Sequence, residues 1–165
     1  MTKWRPQSIV RVVAIGLHWR AGRLLAAEVR DDSGRLKGVR PLGGGVNFGE
    51  PWRTALAREF NEELGIDIDV KGAPLVMENI YVHEGAAGHE VMFISEVEFL
   101  DNAFEDQDSI DFREDSGAPS VARWFDLAAL DLDDGPKLYP TGLKDLLLGR
   151  KSCGPVECRV SSAGA

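Results

Sequence analysis

Cysteine is almost missing from this chain: the only two, Cys153 and Cys158, stand five positions apart in a C-terminal stretch that also carries Gly154, Pro155, Ser161 and Ser162. With no histidine near them they make a poor zinc site, and a disulfide between them would close only a tiny loop. That usage fits a reducing, cytoplasmic setting. No stretch approaches the roughly 18 consecutive apolar residues of a membrane-spanning helix. The opening MTKWRP lacks the apolar core and small-residue cleavage site of a secretion signal, so neither export nor a membrane partner is expected. Positive charge is also short, with 19 Lys and Arg against 27 Asp and Glu and a net charge of -8. Nothing gathers the cations into a stripe, which excludes a stable complex along a nucleic-acid backbone. A phosphate-bearing small molecule is not excluded, because a bound cation inverts the local field. Internal repeats and low-complexity tracts are absent too.

What is present is ordinary globular material: 165 residues, 44% hydrophobic and 28% charged, enough for one core and one domain. We read that domain as residues 1–150, with 151–165 a flexible tail. Residues 8–20 are rich in β-branched and aromatic types and read as a strand, followed by a turn at Ala21-Gly22-Arg23 and a second strand. Residues 39–42 suggest a short strand that leads into Gly43-Gly44-Gly45, read as a shaped turn that brings backbone close to a ligand. Pro51 suits the first position of a helix that runs to Leu64 and stops at Gly65. Two further strands are expected over 66–70 and 74–84, then a turn over 84–89 and a long strand over 90–100. The acidic residues 101–120 read as a long surface loop, 121–125 as a strand, 127–130 as a short helix and 140–148 as a C-terminal helix closed by Gly149.

The most informative stretch is GGVNFGEPWRTALAREFNEELGI, from Gly44 to Ile66. Leu56, Ala57, Phe60 and Leu64 form an apolar stripe on the helix. Glu59, Glu62 and Glu63 lie beside it at spacings that make them neighbours. Hard divalent cations take oxygen ligands, so a cluster of this kind suits Mg²⁺ or Mn²⁺. Alone, the trio would read better as a solvated acidic face.

The stretch resembles the Nudix hydrolase family at every defining position: Gly44, five residues, Glu50, seven residues, then Arg58-Glu59-Phe60-Asn61-Glu62-Glu63-Leu64-Gly65-Ile66. Pro41-Leu42-Gly43 ahead of it and Trp124-Phe125 near the end extend the resemblance over residues 8–149. It implies an α/β fold, an α/β/α sandwich around a mixed, partly closed sheet. It also implies hydrolysis of a nucleoside diphosphate linked to another group, with Mg²⁺ or Mn²⁺ as cofactor and a nucleotide-derived small molecule as the partner. The implied metal ligands are Glu59, Glu62 and Glu63, with Glu50 either joining them or supporting the motif. Arg58 would hold these carboxylates in place, and Phe60 would be core. Asn47 departs from the glutamate often found there in relatives.

For the general base, Glu59 and Glu62 compete with Glu114, which resembles an acid used outside the motif by some relatives; Asp111 and Asp115 are its neighbours. Glu78-Asn79-Ile80-Tyr81 with Gly85, Gly88 and His89-Glu90 resembles a pattern near the substrate side of a subset of the family. Tyr81 is thereby a candidate for stacking on a base and His89 for a phosphate contact. Phe48 is a candidate pocket wall, and Trp52 either lines the pocket or fills space beside the helix. ADP-ribose, a nucleoside triphosphate, a dinucleoside polyphosphate and a nucleotide sugar all satisfy the same metal chemistry. A homodimer is implied by resemblance alone. The alternative is a catalytically weak nucleotide-binding or sensor protein on the same fold.

Overall fold

The computed structural model describes residues 4–114 and 116–149. Two sheets carry the chain. One is four-stranded, in the order β5 (Gly43–Gly45), β1 (Val10–Leu17), β7 (Ala86–Phe99), β6 (Ile68–His83). The other runs β10 (Lys137–Leu138), β4 (Leu36–Arg40), β3 (Arg23–Arg30), β9 (Pro119–Phe125), β8 (Ser109–Arg113), with β2 (Trp19–Arg20) paired to β3. Both sheets are mixed: β1 runs parallel to β7 and β10 parallel to β4, and the remaining pairs are antiparallel. The fold is α/β, with sheets that do not close into a barrel.

Of the apolar stripe of the first helix, α1 (Trp52–Leu64), Leu56 and Phe60 have no exposed surface, while Ala57 and Leu64 are partly buried against the same core. Leu56 and Phe60 pack there with Ala14, Leu25, Val97 and Trp124. Burial of a side chain such as Phe60 is worth about 2–3 kcal/mol. A second core joins Val13, Ile15, Met92 and Ile94 to Leu24, Val39 and Leu143, the last from the short α2 (Leu143–Leu147). Alternate residues of β1 thus serve different cores, which places that strand at the centre of the fold. Gly65 ends α1 in the left-handed conformation, φ 68, with its N–H donated to the Asn61 carbonyl. Pro51 stands one position before the helix rather than inside it.

Several elements differ from expectation. The run over 8–20 breaks at His18, where the chain leaves the first sheet and β2 joins the second. The three glycines are a strand, not a turn: β5 pairs antiparallel with β1, Ala14 opposite Gly44. A Cβ on Gly43 would overlap the Ala14 carbonyl, so this edge is built from glycine because the backbones crowd. The strands expected at 66–70 and 74–84 are one element, β6, whose pairing with β7 is interrupted between Lys71 and Leu75. Pro74 falls in that interruption, where a missing donor costs no ladder bond. The Ser95 hydroxyl donates to the Lys71 carbonyl at 2.6 Å there. The expected turn over 84–89 is only Glu84-Gly85, φ 48 and 82, both in the left-handed region as a two-residue hairpin demands.

The acidic segment 101–120 is not all loop, because β8 pairs with β9 inside it. Ile110 and Phe112 point inward while Asp111 and Arg113 face solvent. The expected helix over 127–130 is a single 3-10 turn, Leu127–Ala129. The expected C-terminal helix is reduced to α2, and β10 was not expected. The proposed tail and both cysteines lie outside the described residues, as does Asp115.

Candidate active site

At the glycine edge, a Cβ on Gly44 would overlap the carboxyl carbon and both oxygens of Glu59. The Glu59 side chain therefore occupies the space that the glycine leaves, and it is 1% exposed. Glu63 lies one helical turn further on, four residues away, and both carboxylates line a cleft of about 540 Å³. That size suits a nucleotide-sized ligand. Glu62 does not join them. It sits four residues from Arg58 and turns outward to accept a hydrogen bond from Arg58 Nη1 at 3.0 Å. The acidic trio thus divides between two directions: 59 and 63 share one line along the helix, 58 and 62 the next.

Arg58 is the hub of the helix N-terminal region. Its Nε and Nη2 donate to the two oxygens of Glu50 at 2.9 and 3.0 Å, its Nη1 to Glu59 at 2.9 Å, and Nη2 also to the Gly45 carbonyl at 2.9 Å. The bonds donated to Glu50, and then to Glu59 and Glu62, hold the guanidinium above its ordinary value despite desolvation. In return Arg58, followed by the Asn47 N–H, holds the Glu50 carboxyl below the usual carboxylate range. Glu50 is fully engaged by Arg58 and by that backbone donor at 3.0 Å, and it does not line the cleft. These contacts are those that a supporting role for Glu50 requires. Asn47 contributes its backbone to this contact, and its side chain is exposed.

Other candidates separate by which way they face. Glu114 is exposed, in the β8–β9 turn where its carbonyl accepts from Gly117 at 2.7 Å, and it lines the cleft. Asp111 is exposed and does not line it. Tyr81 is in the cleft lining. His89 is not: one residue from Glu90 on β7, it faces the other side of the sheet, where Nε2 meets Glu78 at 2.9 Å. Phe48 is fully exposed in the loop before α1, outside the cleft lining, where the Asn47–Glu50 backbone turn carries it outward. Trp52 takes the packing role, stacked on Phe93 at 5.6 Å with the Arg53 guanidinium 4.5 Å from its ring centre.

The sequence pattern set Asn79 and Glu90 near the substrate side without giving them a role and gave no sign of Arg11 and Arg40; all four line the same space as Tyr81. The signal was present for Glu90, which precedes Met92 and Ile94 in a period-2 pattern and so shares their inward face.

An oxygen-rich niche beside a glycine strand is suited to a hard divalent cation. Among the described residues, no three acidic, histidine or cysteine side chains are gathered closely enough to hold one as they stand. Glu59 and Glu63 fit such an ion by donor chemistry and by the cradle at Gly44, and Glu62 has one oxygen bonded to Arg58.

A site of carboxylates on a helix that follows a glycine edge defines the class of protein, and comparison supplies the family. The NUDIX domain profile matches residues 8–145, so this chain belongs to the Nudix family and is a Nudix hydrolase. Among solved structures it is similar to the E. coli ORF135 protein, at 21% identity and TM-score 0.55, over 90% of this chain and 95% of that one. It is also similar to a MutT NUDIX hydrolase from Burkholderia pseudomallei, at 22% identity and TM-score 0.54, over 88% and 100%. A UDP-X diphosphatase aligns at 15% identity and TM-score 0.52, over 87% and 63%. At these identities the likeness concerns the fold. No curated protein matches the chain. Nudix hydrolases generally need a divalent metal and act on nucleotide-derived substrates. No helix among the described residues is long and apolar enough to cross a membrane.

Proposed function

We propose that the cleft hydrolyses a phosphoanhydride bond in a nucleoside diphosphate derivative, with Mg²⁺ or Mn²⁺ held by Glu59 and Glu63 and joined by Glu62. The observation that carries this reading is the Glu59 carboxylate seated against Gly44 at the cleft wall. A bound dication supplies charge neutralisation on the diphosphate and a more acidic water. Arg58 fixes Glu59 and ties α1 to the Gly45 carbonyl, so the carboxylate does not reorient during turnover. Glu114, at the cleft edge and outside the Arg58 network, takes the proton from the attacking water. Arg11 and Arg40 supply positive charge for the substrate's anionic groups. ADP-ribose, nucleoside triphosphates, dinucleoside polyphosphates and nucleotide sugars form the substrate class.

A homodimer is supported by exposed apolar residues on one face of the first sheet, Val10, Val12, Val76, Ile80 and Val82. A monomeric mass in solution would remove it. A cytoplasmic location accords with the sparse cysteines.

The test is product release from that substrate panel with Mg²⁺ or Mn²⁺, comparing wild type with Glu59→Gln and Glu114→Gln. We expect turnover that EDTA abolishes, a loss of about 100-fold or more in kcat for Glu59→Gln, and a loss of about 10²–10⁴-fold for Glu114→Gln. Folded protein that binds nucleotides and turns none over would instead be a binding protein on the same fold.

A further inference from the structure

Glu90 on β7 is 3% exposed, a carboxylate set in the cleft wall that the mechanism above does not use. Three strands place polar residues at one register: Arg11 on β1 lies opposite Glu90, and Asn79 on β6 lies opposite it on the other side. Two residues along, the same face carries Val13, Met92 and Met77, which belong to or pack on the second core. A polar row therefore borders that core where it opens into the cleft.

The contacts within the row are long. Asn79 Nδ2 donates to Glu90 Oε2 at 3.2 Å and the Tyr81 hydroxyl to Oε1 at 3.4 Å, while Arg11 Nη1 stands 3.9 Å from Oε1. A carboxylate offers about four acceptor sites, and one kept only for folding would be satisfied by short internal bonds. Tyr81 is held in place because its ring lies where any Cβ on Gly88 would be. Burial first, and then the charge of Glu90, raise the Tyr81 phenol above its ordinary value, so it remains a donor.

We propose that Glu90 is a specificity-determining residue whose carboxylate, presented by Asn79, Tyr81 and Arg11, accepts hydrogen bonds from the donors of the substrate's nucleoside. Those donors are the amino and imino edge of a base or the hydroxyls of the ribose. The spacing agrees. Gly44 and Glu90 lie opposite β1 residues three positions apart and on opposite sides of that strand. Strand rise and strand separation then put them about 14 Å apart along the sheet. Glu59 and Glu90 belong to opposite faces of this sheet and meet in one cleft around its glycine edge strand, so a nucleotide with its phosphates beside Glu59 reaches Glu90 with its sugar and base by passing that edge. Arg11 spans the space between: its Nη2 would be 3.3 Å from a Cβ on Gly45, and its Nη1 faces Glu90.

This inference rests on the nucleotide reading of the cleft, yet its test needs no turnover. Binding of nucleoside monophosphates is measured by calorimetry in EDTA, in pairs that differ by one donor group: GMP with IMP, AMP with purine riboside monophosphate, and each ribonucleotide with its 2′-deoxy form. The base pairs and the sugar pairs distinguish the two donor sources. Wild type should prefer the donor-bearing member of at least one pair by about tenfold to a hundredfold. Glu90→Gln, with an unchanged melting temperature, should bring that ratio to within about threefold of unity. If the amide variant fails to fold, Glu90→Asp keeps the charge, withdraws the carboxylate by one methylene and should lose the preference likewise. Equal binding of every pair by wild type, no measurable binding, or a preference that survives in the folded variant would overturn the proposal. A Glu90-dependent preference without hydrolysis would remove the catalytic reading alone, and hydrolysis with a preference indifferent to Glu90 would remove this one alone.

Discussion

Gly44 lacks a side chain where Glu59 needs room, and the consequence is testable with a single methyl group. Gly44→Ala places a Cβ against the Glu59 carboxylate, and a displacement of about 1 Å in such a group costs on the order of 100-fold in rate. We expect kcat/KM to fall by about that factor while the far-ultraviolet circular dichroism spectrum stays native; wild-type kinetics in this variant would show that Glu59 does not work from its present position. The relation between these residues was legible in the sequence, because a fixed number of positions on a regular helix fixes direction. That is why Glu59, Glu62 and Glu63 were read as a cluster. The same geometry sets Glu62 beside Arg58 four residues before, a pairing the acidic spacing alone did not signal. His89 and Phe48 were not legible. Which face a strand residue takes depends on register with other strands, and the direction of a loop side chain depends on backbone contacts such as Asn47 to Glu50.

Among the elements, α1 was the easiest to read because its stripe, its proline and its glycine are all local signals. Gly65 offers a clean measurement, since its φ is 68 and a Cβ there would meet nothing within 4 Å. Gly65→Ala should therefore cost about 1 kcal/mol, the left-handed penalty alone, read as a lower urea midpoint at unchanged slope. A cost of zero would mean that the helix does not end in this conformation. The strands were less legible where pairing overrides composition. β5 is three glycines, the weakest of strand formers, and exists because β1 supplies its partner. β8 hides two inward apolar residues among acids, and β6 absorbs a proline by breaking its ladder there.

At the scale of the whole molecule, His18 marks the place where the chain passes from one sheet to the other. Its ring stacks on Phe99 at 3.7 Å and meets the Val97 carbonyl through Nδ1 at 3.3 Å. Burial lowers its pKa below 6.5, more than the Val97 carbonyl raises it. With the folded value below the unfolded one, the unfolded chain binds more protons between the two, and stability rises with pH in that window. The contribution is complete above about pH 6.5 and is lost as pH falls toward the folded value. The melting temperature should accordingly fall below pH 6.5 more steeply in wild type than in His18→Phe; equal slopes would show that this imidazole titrates as it does in the unfolded chain. The class of fold was legible from one motif and its flanks. The cleft was not, because Arg11, Arg40, Glu90 and Gly44 come from distant parts of the chain and meet only through sheet pairing. The central claim is that Glu59 and Glu63 hold a divalent cation beside the glycine strand. The most direct measurement is an anomalous difference map from a crystal soaked in Mn²⁺. A peak within coordination distance of both carboxylates, next to Gly44, is the expected result. A strong Mn²⁺ peak elsewhere, with Glu59 still bound to Arg58, would contradict it.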